Sequence, residues 1–328
     1  MSSDVPGTVK LFFREAIARA LREEMAHDAR VIVLGQDVGR FGGAYREFDG
    51  LYAAFGGARV RDTPVAEASI IGLGVGAAAA GLHPLVSITY MDFLMLGLDP
   101  LVNYGAKVRF KTGGRLAAPL VVKTTAGAKG QGVAHSQCLE PWLMNVPGLK
   151  VVAPSNAADA YGLLKAALRD DGPVVFVDHK RLFPTAGEVP RGETIVPIGR
   201  AAVRRRGSDV TIVTHGYMCR TADAAADRLA ENGVACEIVD LRSLAPLDAE
   251  TVCESVARTG ALVTLEEGPT ACGVGAEVAC RVHEALGVRR IARVGAAPAP
   301  VSSNPVLEAA CLPDAARVVA AVRRLLLS

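Results

Sequence analysis

No two cysteines stand at the close spacing of a zinc site or a redox motif: Cys138, Cys219, Cys236, Cys253, Cys272, Cys280 and Cys311 are dispersed and read as reduced thiols. The chain has no HExxH and no GxSxG, and its six histidines are scattered, which sets metal-hydrolase and serine-hydrolase chemistry aside. Charge of one sign is missing too. Thirty-six Lys and Arg against 34 Asp and Glu leave a net +2, too little for a nucleic-acid or anionic-membrane footprint. The N-terminal segment MSSDVPGTVKLFFREAIARALREEM lacks the basic start, apolar core and cleavage site of a secretory signal and is too acidic for a typical transit peptide, so a cytoplasmic location is expected. Solenoid repeats and low-complexity tails are absent.

What is present is enough apolar material for two cores: 328 residues, half of them hydrophobic, predict two domains. Phe13, Ile17, Ala20, Leu21 and Met25 recur at steps of three and four, which predicts an amphipathic helix over 11–26 before a buried strand at 31–34. The stretch GRFGGAYREFDGLYAAFGG is an ordered excursion, because Phe41, Tyr45, Phe48, Leu51, Tyr52 and Phe55 need somewhere to pack. Strands at 120–122, 149–153 and 174–177 alternate with helices over 99–110 and from Ser155 or Asn156 to about Arg169. This rhythm implies an α/β fold with a mostly parallel sheet covered on both faces. Residues 183–199 are rich in Pro and Gly and read as an interdomain linker. A second α/β set follows, with strands at 210–213, 236–239, 262–265 and 291–294 and helices near 220–231, 248–258, 275–286 and 314–327.

One acid heads an otherwise uncharged run. In RDTPVAEASIIGLGVGAAAAGLHPLVSITYMDFLMLGL, Glu67 precedes 24 residues without Asp, Glu, Lys or Arg, interrupted by Gly72, Gly74, Gly76, Gly81 and Pro84. The pattern predicts a buried helix from Pro64 to about Ala80, capped by Thr63 and ended by Gly81, then a buried strand. Glu67 falls in the first turn, where the helix dipole favours its ionised form and burial its protonated form. It is either a proton-exchanging acid or an ordinary partner of the dipole. The loop TTAGAKGQGVAHSQC presents His135 beside Ser136 and Gln137 on a glycine-rich backbone, again with a structural and a catalytic reading open. GLGVGA (72–77) with Asp92 downstream fits a loose dinucleotide fingerprint, but no strand runs into its first glycine.

The segments REAIARALREEMAHDARVIVLGQDVG, FGGAYREFDGL, RDTPVAEASIIGLGVGAAAAGLHPLV, YMDF, AHSQC, PGLKVVAPSN, RDDGPVVF, VDLRSLAPLD and LPDAARVVAAV together cover almost the whole chain. In that order they resemble the beta subunit of the thiamine diphosphate-dependent decarboxylating component of 2-oxo acid dehydrogenase complexes, the pyruvate, branched-chain and acetoin enzymes included. The resemblance implies two parallel or mixed sheet domains: a pyrimidine-binding domain over 1–190, a linker over 191–200 and a transketolase C-terminal-like domain over 201–328. It implies that Glu67 activates the cofactor by hydrogen-bonding the N1′ nitrogen of its aminopyrimidine. Phe93 then packs on the pyrimidine with Val65 and Thr89 as neighbours, and His135 binds substrate or manages protons during acyl transfer. Leu120, Ala167, Asp170 and Gly172 match a monovalent-cation (K+) site of some relatives.

The GDG motif that holds the diphosphate and Mg2+ is absent. The resemblance therefore implies that an alpha subunit brings that half, in an assembly of two alpha and two beta chains, with a lipoyl acyltransferase as acceptor. The sequence departs from the family pattern at Gln36, where an acid of the proposed proton relay between paired sites is usual; an amide cannot carry a proton in the same way. Glutamine in some relatives at the positions of Thr89 or Leu96 leaves the substrate open. A half of a split transketolase-like enzyme and an NAD-binding or non-catalytic α/β protein are the alternatives.

Overall fold

In the computed structural model, which describes residues 7–327, the chain divides into two compact units. One comprises residues up to Ala126 together with Trp142–Ile198, the other Gly127–Pro141 together with Gly199 onward. The first few residues of the N-terminal segment used to argue localisation lie outside the described residues.

In the first unit, helix α1 (Phe13–His27) forms as its spacing predicts, and Phe13, Ile17, Ala20, Leu21 and Met25 are all buried. The central strands are β2 (Val31–Gly35), β3 (Val60–Asp62), β4 (His83–Ile88), β5 (Val121–Ala126), β6 (Lys150–Val152) and β7 (Val174–His179). They run in the order β6-β7-β5-β4-β2-β3, every neighbour parallel. The continuous burial of β2, β5 and β7 is what a sheet covered on both faces requires. Parallel strands point all their C-terminal ends to one edge, the edge where open α/β sheets bind ligands.

Helix α3 (Glu67–Ala79) packs on this sheet. A Cβ at Gly74 would sit 2.6 Å from Val86 Cγ1 and 3.1 Å from Leu120 Cδ1, so this glycine lets the helix lie close. The helix starts three residues later than its sequence suggests, with Ala66 rather than Thr63 at the N-cap and no side-chain cap. The reason is the neighbouring strand: Thr63 N–H donates to Gly35 O at 3.0 Å, which prolongs the β2–β3 pairing. At the far end Gly81 adopts φ +96, ending the helix as expected.

The single helix expected over 99–110 is two pieces. After α4 (Met91–Leu94) and a 3-10 turn at Met95–Gly97, a π-helical segment, Asp99–Gly105, precedes α5 (Val108–Lys111). Then come α6 (Glu140–Met144) and α7 (Ala157–Leu168), the latter capped by Asn156, whose side chain accepts from Asp159 N–H at 2.9 Å. The stretch read as linker contains a strand, β8 (Ala186–Pro190), which pairs antiparallel with β1 (Thr8–Phe12).

The glycine- and aromatic-rich excursion contains α2 (Leu51–Phe55) and is anchored by charge as well as by rings. Lys123 on β5 has a wholly buried side chain and pairs with Glu47 Oε1 and Asp178 Oδ2, each at 2.9 Å. Phe48 and Phe183 flank the ammonium at 5.6 and 5.4 Å, and Tyr45 stacks on Phe183 at 4.4 Å. Burial works against the Lys123 charge, but Asp178 and Glu47 outweigh it and hold the ammonium above its ordinary pKa.

In the second unit, the strands are β9 (Ala202–Arg205), β10 (Val210–Thr214), β11 (Cys236–Asp240), β12 (Ser243–Ala245), β13 (Leu262–Pro269) and β14 (Ile291–Ala296). Five of them form a sheet in the order β14-β13-β10-β11-β9, parallel except for β9. Helices α8 (Met218–Ala230), α9 (Ala249–Thr259), α10 (Val274–Leu286), α11 (Pro305–Cys311) and α12 (Ala315–Leu327) complete it. Met218, Ala222 and Leu229 of α8 and Val318 and Val322 of α12 close over Ile212, Ile238 and Val263. Among the described residues no helix is long and apolar enough to cross a membrane.

Replacing Lys123 by Met leaves two buried carboxylates facing each other, so unfolding free energy should fall by about 3–5 kcal/mol. Chemical denaturation of Lys123→Met against the triple variant that also carries Glu47→Gln and Asp178→Asn checks this. The triple variant should recover most of the loss.

Candidate active site

Three neighbouring strands of the parallel sheet deliver site candidates at the C-terminal edge. Gln36 follows β2 directly, Val65 and Glu67 follow β3, and Thr89, Tyr90 and Phe93 follow β4. Glu67 is the first residue of α3, with its side chain half-buried, and next to it Val65 is 65 % exposed. The turn Met95–Gly97 comes against the start of α3: a Cβ at Gly97 would meet Ile71 Cδ1 at 2.3 Å and Glu67 O at 3.2 Å. The segment carrying Phe93 is thus fixed against the turn that carries Glu67. Phe93 meets Tyr90 edge-on at 6.2 Å, and the buried Lys180 ammonium lies 5.1 Å over the Tyr90 ring. Lys180 immediately follows β7 at the same edge. Tyr90 and Lys180 escaped the sequence reading; the usable signal was a lysine placed just past the end of a buried strand.

An unusual face surrounds the acid. α3 is apolar on all sides, yet Ala68, Leu73, Gly76 and Ala79 are exposed, as is Leu96 nearby in sequence to Gly97. A helix of that composition belongs in an interior. The glycines of GLGVGA lie within this helix, not at a strand-to-helix turn, so the dinucleotide fingerprint has no structural counterpart here.

His135 belongs to the second unit, as do all residues from Gly127 to Pro141. It is half-buried, and its N–H donates to Gly132 O at 3.2 Å in a tight turn. Gly127 N–H closes the base of the loop on Gln137 O at 3.3 Å. Where the loop leaves this turn, Glu140 is buried, and burial together with the Glu267 and Glu266 charges pushes its carboxyl up to about 7. Glu266 is likewise pushed up to about 7 by burial, although it accepts from the Val274 and Gly275 N–H groups at the start of α10.

The four residues matched to a monovalent cation sit at the opposite, N-terminal edge of the first sheet. Several of their polar groups have partners within the chain. Asp170 binds the Lys150 ammonium through Oδ2 at 2.5 Å and Gly172 N–H through Oδ1 at 2.9 Å. Leu120 O accepts from Val174 N–H at 2.8 Å, and Ala167 O from Asp170 N–H at 3.3 Å. A carbonyl oxygen that accepts one hydrogen bond keeps a second lone pair for a cation. Among the described residues, no group of three or more His, Cys, Asp or Glu is placed to hold a metal ion.

Residues 10–185 match the family model of the transketolase pyrimidine-binding domain, and residues 199–318 that of the transketolase C-terminal domain. The chain is 42 % identical to the mitochondrial pyruvate dehydrogenase E1 component subunit beta-1 of Arabidopsis thaliana, over 97 % of this chain and 90 % of that protein. It belongs to the transketolase-type family of dehydrogenase beta subunits. This beta chain is also 41 % identical to the beta subunit of acetoin:2,6-dichlorophenolindophenol oxidoreductase of Cupriavidus necator, over 96 % of this chain and 97 % of that one. Identity to the 2-oxoisovalerate dehydrogenase subunit beta of Bacillus subtilis is 42 %, with 82 % and 83 % of the two chains covered. Among solved structures, a split gene transketolase in an inactive beta4 tetramer superposes with a TM-score of 0.81 at 27 % identity, covering 96 % of this chain and 98 % of that one.

The raised carboxyls give the beta chain a pH signature. An acid whose folded pKa lies above its unfolded value binds extra protons in the fold, here between about 4.5 and about 7 for Glu140 and Glu266. Unfolding free energy should therefore fall as pH rises through that window and level off above it, by on the order of 3 kcal/mol for Glu140 alone. Denaturation midpoints at a series of pH values check the slope, which Glu140→Gln should flatten.

Proposed function

We propose that this chain is the beta half of a thiamine diphosphate-dependent 2-oxo acid or acetoin dehydrogenase, active only with an alpha subunit. The observation that carries the reading is near-full-length identity of 41–42 % to beta subunits of that type, with Glu67 at the head of α3. In the complete assembly of two alpha and two beta chains, the alpha subunit supplies the diphosphate and Mg2+ side. The apolar exposed face of α3 and Leu96 supports a covering partner chain, either the alpha subunit or the second beta subunit. A lipoyl acyltransferase receives the acyl group.

The residues at the sheet edge suit the aminopyrimidine end of the cofactor: a half-buried carboxylate, an aromatic ring, and the exposed apolar side chain of Val65. When bound, thiamine diphosphate supplies the carbon nucleophile that attacks the ketone and accepts the electrons released with CO2. Glu67 holds a proton at its carboxyl against the pyrimidine N1′ and gives or takes it as the ring changes tautomer. Phe93, Val65 and Thr89 orient the ring and keep water from it. His135 moves a proton to or from the substrate oxygen during acyl transfer. The carbonyl oxygens of Leu120, Ala167, Asp170 and Gly172 take a monovalent cation (K+), beside the Lys150–Asp170 ion pair. The boundaries 1–190, 191–200 and 201–328 and a cytoplasmic location belong to the same proposal.

The split-transketolase alternative has the solved-structure likeness at 27 % behind it, against 41–42 % over comparable coverage for the dehydrogenase relatives. Co-purification from the native host separates the two, since a lipoyl protein accompanies only the dehydrogenase.

Reconstituted with its alpha partner, Glu67→Gln should lower pyruvate decarboxylation by about 10²–10⁴-fold, with the assembly and its unfolding midpoint unchanged. Near-wild-type turnover in this variant ends the reading. Exchanging K+ for Na+ at constant ionic strength should lower the unfolding midpoint, because an ion that binds only the fold stabilises it. A midpoint that does not change with K+ refutes the cation site.

A further inference from the structure

The His135 loop has no regular structure, so its backbone N–H groups must find partners one by one. Two of them are taken by carboxylates from elements far away in sequence. Ala128 N–H donates to Glu267 Oε1 at 2.7 Å, and Gly130 N–H donates to Glu308 Oε2 at 2.6 Å. Glu267 lies on β13 and Glu308 on α11, and the two side chains are only 6 % and 7 % exposed. α11 itself is held at its start by Asn304, whose side chain accepts from Val306 and Leu307 N–H.

The loop's path between these anchors is tightly defined. Gly127, Gly130 and Gly132 take φ values of +85, +75 and +77, a region open to glycine and strained for other residues. A Cβ at Gly132 would stand 3.3 Å from Ser303 Cβ, so the backbone also runs close to the segment ahead of α11. Gly132 then accepts the His135 N–H that fixes the turn. Lys129, Gln131, Val133 and Ala134 face solvent, so much of the loop is held by its backbone, with Ala128 and Ser136 as its buried side chains. A carboxylate accepting from N–H forms a charge-assisted bond, shorter and roughly twice as strong as a neutral one.

From this geometry we infer that Glu267 and Glu308 are positioning residues: they clamp the loop backbone at Ala128 and Gly130 and so fix where the His135 imidazole is presented. The inference rests on the proposed role of His135. Neither acid touches substrate or cofactor in this account. Each acts through the loop, from a different side of it, so removing either lets one half of the loop swing while the other stays tied. A displacement of about 1 Å at a proton-transferring group is enough to cost about 10²-fold in rate.

The test uses the reconstituted alpha–beta assembly with pyruvate and a free lipoylated domain as acceptor, comparing Glu308→Ala, Glu308→Gln, Glu267→Gln and His135→Ala. Amide hydrogen exchange over 128–135 is measured alongside kcat and KM. Glu308→Ala should lower kcat for acyl transfer by about 10- to 100-fold with KM for pyruvate little changed. Its exchange should speed up at 128–135 and stay at wild-type rates in β10 and α9. Glu308→Gln retains an acceptor oxygen and should recover most of the rate, and Glu267→Gln, which also keeps one, should stay near the wild-type rate. The clamp is overturned if Glu308→Ala leaves exchange and kcat at wild-type values while His135→Ala lowers kcat, or if exchange rises throughout the second unit, which marks a purely structural residue. If His135→Ala itself transfers acyl groups normally, the functional reading of His135 fails, and the local exchange rates still decide whether the two acids hold the loop.

Discussion

An ammonium with no exposed surface must be matched by charge where it stands, because the desolvation it suffers is repaid only by close, well-directed partners. Lys123 meets that condition with one carboxylate from its own sheet, Asp178 on β7, and one from outside it, Glu47 in the glycine-rich excursion. The second pairing fixes the excursion. Once Glu47, Phe48 and Tyr45 are in place, the chain ahead of them at Gly39 is held against the end of β3: Gly39 N–H donates to Asp62 Oδ1 at 2.7 Å, and a Cβ there would lie 2.4 Å from Asp62 Oδ2. Five residues after Asp62 comes Glu67. The acid at the head of α3 thus takes its position from a line of contacts that begins at a lysine with no part in the chemistry.

Much of this fold was legible because the buried strands are short apolar runs and the helices carry strong periodicity, as in α1, α8 and α12. The misses share a cause. The start of α3 was shifted by a backbone bond from Thr63 to Gly35, the strand β8 was hidden in a Pro- and Gly-rich stretch that pairs with β1, and the helix over 99–110 was divided by a π-helical segment. Each depends on a partner distant in sequence, or on local geometry that periodicity does not encode.

The same limit applies to the site. Spacing alone could put Glu67 in the first turn of a helix but could not choose between an acid that serves the dipole and one that serves a cofactor; the resemblance of several segments in register is what points to the cofactor. Family likeness, in turn, pointed to a cation site at Leu120, Ala167, Asp170 and Gly172, but carried no information on where the Lys150 ammonium points. The loop carrying His135 was visible as glycine-rich, but its anchors at Glu267 and Glu308 stand 139 and 178 residues away from their backbone partners.

The chain passes from one compact unit to the other at 126/127, at 141/142 and at 198/199. A break in the gene anywhere near residue 195 therefore does not yield two self-sufficient products: the C-terminal fragment lacks the fifteen-residue insert that its own acids hold, and the N-terminal fragment carries that insert with nothing to fold on. Fission or domain exchange in this protein has to keep Gly127–Pro141 together with the second half. Heredity as well as folding must treat the two stretches as one part.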